Sequence, residues 1–162
     1  MRLLAASLVA VALFVAPSDA IEHCVGLARP VDGSVERGFA PTGRYSGHWG
    51  VDFAVPAGTA VRAAGPGTVS FAGVVAGNLT LTVDHGGGLR TSYSYLSSLM
   101  VRRGDRVAES TTLATSGPGH GSPALHFSVR IGPTYADPLT IIGCRPASPS
   151  KGLRLVPTRE LL

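Results

Sequence analysis

"SPALHFSVR", residues Ser122 to Arg130, is written in the two-residue period of a half-buried β-strand. Leu125, Phe127 and Val129 fall on one face, and Ala124, His126 and Ser128 fall on the other. The second face therefore carries one ionisable side chain, His126, with a small residue two positions to either side. A strand of this kind needs partners, and the rest of the chain supplies them. Short Val-rich runs around Ser34 to Phe39, Val51 to Val55, Ala60 to Ala64, Thr68 to Ala72, Asn78 to Asp84 and Leu89 to Leu96 are punctuated by turn sequences such as "PAGT" and "HGGG". The runs at Thr68 and Asn78 read as a hairpin broken by Gly73 and Gly77, and "VRRGDRV" reads as a hairpin turn between Val101 and Val107. No stretch sustains a helical period, so the expected fold is all-β.

The ends of the chain have a different composition. Met1-Arg2, an apolar run from Leu3 to Ala16 and the small residues around Pro17 to Ala20 have the layout of a secretory signal peptide, with cleavage expected after Ala20. The apolar run is shorter than the roughly 20 residues a membrane span requires, so no transmembrane anchor is expected. His23 and Glu22 stand where a lipoprotein cleavage site needs small residues before Cys24. Removing residues 1–20 from the 162 leaves 142, enough for one domain with a real core. Within it, residues 21–31 read as an N-terminal extension, 32–143 as the folded domain and 144–162, with "RPASPSKG", as a tail.

Export also bears on the two cysteines. Cys24 and Cys144 stand near opposite ends of the domain, and in an oxidising compartment an even count favours a disulfide between them over a metal site; two free thiols are the alternative. The net charge is +4 and the basic residues are almost all arginine, densest at Arg102, Arg103 and Arg106. Few aromatic residues and the export signal argue against a nucleic-acid partner. A solvated basic face explains the charge, and attraction to anionic cell-envelope polymers is the functional reading it allows. Arg103-Gly104-Asp105, the Asn78-Leu79-Thr80 acceptor triplet and "SGPGHG" all read as turn sequences.

"GHWGVDFAVPAG" places His48 four residues before Asp52. Neither this pair nor His126 alone is a strong signal, because such pairs are frequent and strand histidines mostly serve packing. Together, two imidazoles and one carboxylate make a tetrahedral zinc site with its fourth position open to water.

The segments "HWGVDFAVPAGTAVRAAGPGTVSFAG", "LTVDHGGGLRTSYSYL", "VRRGDRV" and "ALHFSVR" occur in one order with compatible gaps. In this the chain resembles the lysostaphin/LytM-type peptidoglycan endopeptidases, over roughly residues 32 to 140. The resemblance implies an antiparallel β-sheet fold of the sandwich or barrel-sandwich kind around an open groove. It also implies one zinc held by His48, Asp52 and His126, and peptide cross-links of the cell wall as the substrate.

The same resemblance exposes a departure. That family ends on His-x-His, the second histidine a ligand and the first catalytic, whereas this chain has Ala124-Leu125-His126. A second catalytic histidine lies in a Tyr-x-His-Leu pattern, which here reads Tyr93-Ser94-Tyr95-Leu96. Alanine can neither move a proton nor donate a hydrogen bond. A positioned acid–base group contributes typically 10²–10⁴-fold and an oxyanion donor about 10²–10³-fold, so loss of both predicts impaired hydrolysis. Tyr95 can still donate from its phenol, and His120 lies in the loop before the strand. Two readings result: an exported domain that binds cell-wall peptide or a partner hydrolase, or a working zinc endopeptidase that uses Tyr95. A third pattern, "GTVSFAG…VRRGDRVAESTTLATSG", is similar to biotinyl and lipoyl carrier barrels. Those need a lysine on a hairpin tip, and the only lysine, Lys151, is in the tail.

Overall fold

A computed structural model describes residues 26–44, 46–119 and 121–143. Along these the chain forms β1 (Ser34–Arg37), β2 (Ala40–Pro41), β3 (Gly47–His48), β4 (Val51–Ala54), β5 (Ala60–Arg62), β6 (Gly67–Val75), β7 (Asn78–Gly86), β8 (Leu89–Leu99), β9 (Arg106–Val107), β10 (Thr112–Ser116), β11 (Ala124–Ile131), β12 (Thr134–Ala136) and a single helical turn α1 (Pro138–Ile141). The main sheet runs β1-β4-β11-β8-β7-β6-β9, with β12 on β11 and β10 joining β8 to β5; β2 and β3 form a separate pair. Every strand pair is antiparallel. The all-β, antiparallel expectation holds.

Alternation explains the core. Val51 and Phe53 from β4, Leu81 and Val83 from β7, Tyr93 from β8, and Leu125, Phe127 and Val129 from β11 are all fully buried. Burying each such side chain stabilises the fold by about 1.5–3 kcal/mol. Phe127 sits between Phe53 and Tyr93, at ring-centroid distances of 6.5 and 5.3 Å. The opposite face of the same strands carries His126, Ser92, Ser94, Thr80 and Thr82, and this face forms the floor of a groove.

Several boundaries differ from the sequence expectation. The β6–β7 hairpin is longer than predicted and Gly73 does not break it: Gly73 pairs with Thr80 inside the ladder. The turn is made by Ala76 and Gly77, both at positive φ (48° and 82°), the two-residue connection that matches strand twist. Arg102 to Asp105 do form a turn, closed by the Arg102 N–H donating to Asp105 Oδ2 (3.0 Å). The strand that leaves it, β9, pairs with β6 and not with the residues around Val101. The one-turn helix was not anticipated; Asp137 caps it through the Leu139 N–H (2.9 Å) and Pro138 starts it. In the segment read as an extension, Leu27 and Val31 are buried in the core, and the Ala28 N–H donates to the Ala64 carbonyl (2.7 Å). Cys24, Cys144, His120 and the signal-peptide residues lie outside the described residues. Among those described, no helix is long and apolar enough to cross a membrane.

Candidate metal centre and groove

Cross-strand register assembles the site. Asp52 on β4 lies directly opposite His126 on β11, and β11 places His126 opposite Ser94 on β8. His48 ends the short strand β3 and reaches the same point through the bend at Trp49-Gly50. His126 Nδ1 is 2.7 Å from Asp52 Oδ1, His48 Nε2 is 3.1 Å from the same oxygen, and the two ring nitrogens are 3.0 Å apart. His48 and Asp52 are buried and His126 is partly exposed. The structure thus brings together all three residues singled out as ligands.

Chemistry shows what such a triangle accommodates. His48 Nδ1 donates to the Gly38 carbonyl at 2.7 Å, which leaves a lone pair on the neutral ring's Nε2. That lone pair faces a carboxylate oxygen and a second imidazole nitrogen. A proton on His126 Nδ1 can point along only one edge of the triangle, whereas a single cation at its centre would engage all three atoms. A zinc with bonds of about 2.0–2.1 Å would separate tetrahedral ligand atoms by roughly 3.3 Å, close to the observed edges. His48, Asp52 and His126 are a donor set that could hold a metal ion.

Gly50 makes His126 possible in this place. A Cβ there would lie 2.5 Å from the Phe127 carbonyl oxygen and 2.8 Å from His126 Nε2. Only a residue without a side chain admits the imidazole so close to the backbone.

The two positions beside the ligands differ in kind. Ala124 is buried, two residues before His126, and lines a cavity of about 240 Å³ together with Asp52, Glu36, Arg37 and Ser122. Ser122 Oγ donates to Glu36 Oε1 across this cavity at 2.7 Å. Tyr95 occupies a β-bulge: Ser94 pairs with Thr80 and Leu96 with Leu79, so Tyr95 is the inserted residue, at φ 61°, and its carbonyl accepts from the Gly117 N–H at 2.7 Å. Without the bulge Tyr95 would share the core face with Tyr93. The bulge turns it into the groove, its ring 6.4 Å from that of His126. Partial burial raises its phenol pKa, with the Asp52 charge adding to the effect and Arg37 opposing it. The phenol therefore keeps its proton, as a donor, throughout the neutral range.

The groove leading away from the centre has a volume of about 530 Å³. Its floor is a hydroxyl lattice in register: Thr80 Oγ1 donates to Ser94 Oγ (3.1 Å), and the Thr82 and Ser92 hydroxyls are 2.9 Å apart, with Ser128 opposite Ser92. Trp49 and Tyr135, 5.5 Å apart, stand on one side, and Phe71 and Val75 on the other. A second bulge, between Val69 and Phe71, sets Phe71 on this face. Sequence reading put Ser128 on the face of His126 but assigned a groove role to none of these residues, nor to Arg37, Glu36 or Arg130. The alternation of Thr80/Thr82, Ser92/Ser94 and Ser128 with apolar residues was the signal available for the floor.

An open groove on an antiparallel sheet, with a His-Asp-His donor set at one end, is the architecture of a metallopeptidase-type domain. The chain belongs to peptidase family M23, whose family model matches residues 46–138. An uncharacterised protein of Mycobacterium tuberculosis is 39% identical over 108 residues, a match spanning 62% of this chain and 43% of that protein. The fold is similar to a zinc-containing peptidase from Vibrio cholerae (TM-score 0.62, 30% identity, 69% of this chain and 39% of that one). It is also similar to the catalytic domain of the antimicrobial peptidase lysostaphin from Staphylococcus simulans (TM-score 0.60, 26% identity, 66% and 90%). This chain thus spans less than half the length of the Mycobacterium relative. M23 proteins are a peptidoglycan-related family, and the lysostaphin-type resemblance read from the sequence holds.

Proposed function

We propose that this is an exported, zinc-binding M23 domain of impaired catalysis that acts at the cell envelope, by binding cell-wall peptide or by regulating a partner hydrolase. The observation that carries the reading is Ala124, a methyl group where the family pattern has a proton-transferring imidazole, beside a complete donor set of His48, Asp52 and His126. Zinc, when bound, supplies a Lewis acid that polarises a carbonyl and acidifies a bound water. His48 would hold it through Nε2, oriented by the Gly38 carbonyl, and His126 through Nδ1. Around that centre Tyr95 can donate a hydrogen bond, but no side chain at position 124 can move a proton. The hydroxyl floor and the aromatic wall remain suited to an extended peptide. The apolar run at residues 3–16 and the small residues before residue 21 support export.

One observation favours a second reading, an active endopeptidase cleaving peptide cross-links. The bulge at Tyr95 directs its phenol into the groove beside His126, where it could stabilise an oxyanion. Mature protein incubated with peptidoglycan fragments of several cross-link types, with and without a chelator, separates the two. The proposed function expects zinc in the protein, retention on peptidoglycan and little or no cleavage. Robust, chelator-sensitive cleavage that Tyr95→Phe abolishes would replace it with the second reading.

A further inference from the structure

Beyond the hydroxyl floor the groove ends in two arginines facing each other. Arg130 on β11 lies directly opposite Arg90 on β8, and Arg90 opposite Asp84 on β7. Like charges placed directly across a ladder destabilise it, so this row needs an anion. Asp84 supplies one to Arg90 at 3.7 Å. Arg130 receives none: among the described residues no carboxylate pairs with it, and its Nε is buried without a hydrogen-bond partner. Its guanidinium is instead held over the Tyr135 ring, 5.2 Å from the centroid. A buried donor left unpaired is costly, and a guanidinium stacked on an aromatic ring has lost conformational freedom before any ligand arrives. Both arginines, with Ser92, Thr82, Phe71 and Tyr135, line a hollow of about 300 Å³ that continues the main groove.

We propose that Arg130, assisted by Arg90, is a carboxylate-recognition subsite for an acidic peptide lying along the groove. Four strand residues separate Arg130 from His126, about 13 Å at 3.3 Å per residue. The subsite therefore selects a peptide whose carboxylate lies three to four residues from the bond or group at the metal end. Planar guanidinium groups suit that ligand because they engage a carboxylate through two parallel hydrogen bonds. The inference rests on the groove being a peptide site, as proposed above, and adds what kind of peptide it takes.

The single tryptophan, Trp49, reports on binding, since it stands 5.5 Å from Tyr135 beneath Arg130. The probes are acetylated, amidated alanine pentapeptides with one glutamate at each position in turn, and the glutamine counterparts, titrated against the full mature protein. One glutamate position should bind about tenfold more tightly than its glutamine counterpart, a preference that weakens with salt. Arg130→Gln should erase the preference while leaving glutamine-peptide binding in place, and Arg130→Lys should keep part of it. Arg90→Gln, exposed and already paired with Asp84, should reduce the preference less. Equal binding of glutamate and glutamine peptides by the wild type would overturn the subsite and leave the peptide groove standing. Absence of binding by every peptide, together with no retention on peptidoglycan, would overturn the groove reading itself and the subsite with it. Unchanged preference in both Arg130→Gln and Arg90→Gln would assign the carboxylate to other residues.

Discussion

The two halves of the candidate centre have been treated differently by the fold. The ligand half is anchored in the core: Asp52 and His126 are cross-strand partners whose neighbours Val51, Phe53, Leu125 and Phe127 are fully buried. The half that would move protons is built from exceptions, a small residue at Ala124 and a bulged, left-handed Tyr95. Positions whose geometry follows from core packing are hard to lose without losing the sheet. Positions next to them, held by a bulge or facing a cavity, can change without cost to the fold. A domain can therefore keep a cation site and a peptide groove after its acid–base chemistry has gone, which is the situation we infer here.

The largest effect expected is on the ligand half. His126→Ala or Asp52→Ala should reduce bound zinc from about one per chain to near zero, because each removes one of the three proposed ligands. Elemental analysis after refolding in zinc checks this. Stoichiometric metal in either variant would mean that other residues bind it, and the contrast between the two halves would dissolve.

Next comes the scaffold. Phe127 lies between His126 and Ser128 but points into the core against Tyr93 and Phe53. Phe127→Ala should destabilise the domain by about 3–5 kcal/mol, measured by denaturant unfolding, and should weaken zinc binding in parallel. A variant that lost stability but bound zinc with unchanged affinity would show that the centre does not depend on the core beneath it.

A smaller gain is expected on the other half. Ala124→His combined with Tyr95→His should raise cleavage of peptidoglycan fragments on the order of 10²-fold, and each single change should do less, since groups acting as a unit are not additive. The cavity of about 240 Å³ beside Ala124 gives the new imidazole room. An inert double variant that still binds zinc and peptidoglycan would place the deficit elsewhere, with Glu36 and Arg37, which line that cavity, the first residues to examine.

How much of this was legible in the sequence follows the same division. Strands β4 and β11, and β8 as far as Ser94, were readable because their alternation is regular, and with them the places of Asp52 and His126. What alternation could not give was the effect of an inserted residue. Continued in period two, Tyr95 joins Tyr93 in the core and Phe71 joins Val69; the bulges at those two points reverse both assignments. The row Arg130-Arg90-Asp84 depends on register between strands distant in sequence, which no local pattern carries. The helical turn at Pro138–Ile141 was too short to show a period, although Asp137-Pro138 is a legible start signal. The pairing of Cys24 with Cys144 is a matter for free-thiol titration of the unfolded, unreduced protein.

The smallest effect lies on the face away from the candidate metal centre. His85 Nδ1 donates to the Pro66 carbonyl at 2.7 Å, and its Nε2 is 2.8 Å from Thr91 Oγ1. That hydroxyl lies 3.0 Å from Tyr93 Oη, which accepts from the Ala64 N–H at 2.9 Å. The chain thus ties the "HGGG" turn to the middle of the core, and Tyr93, fully buried, has its pKa pushed up to about 12. Burial lowers the pKa of His85 below its ordinary 6.5, against opposing contributions from the Pro66 hydrogen bond and the Asp84 charge. The folded state therefore binds fewer protons than the unfolded one between the two values, so stability rises with pH through that window. The contribution is complete above pH 6.5 and is lost as the pH falls from there through the folded value. Metal release on acidification would obscure so small a term, which is why the measurement belongs in the presence of a chelator. Under those conditions wild-type unfolding midpoints should drop between pH 7.5 and pH 5, and His85→Gln should be less stable at pH 7.5 but flatter with pH. Parallel pH profiles for the two proteins would show that the neutral imidazole contributes nothing to the fold, and that the acid sensitivity of the domain resides in other groups.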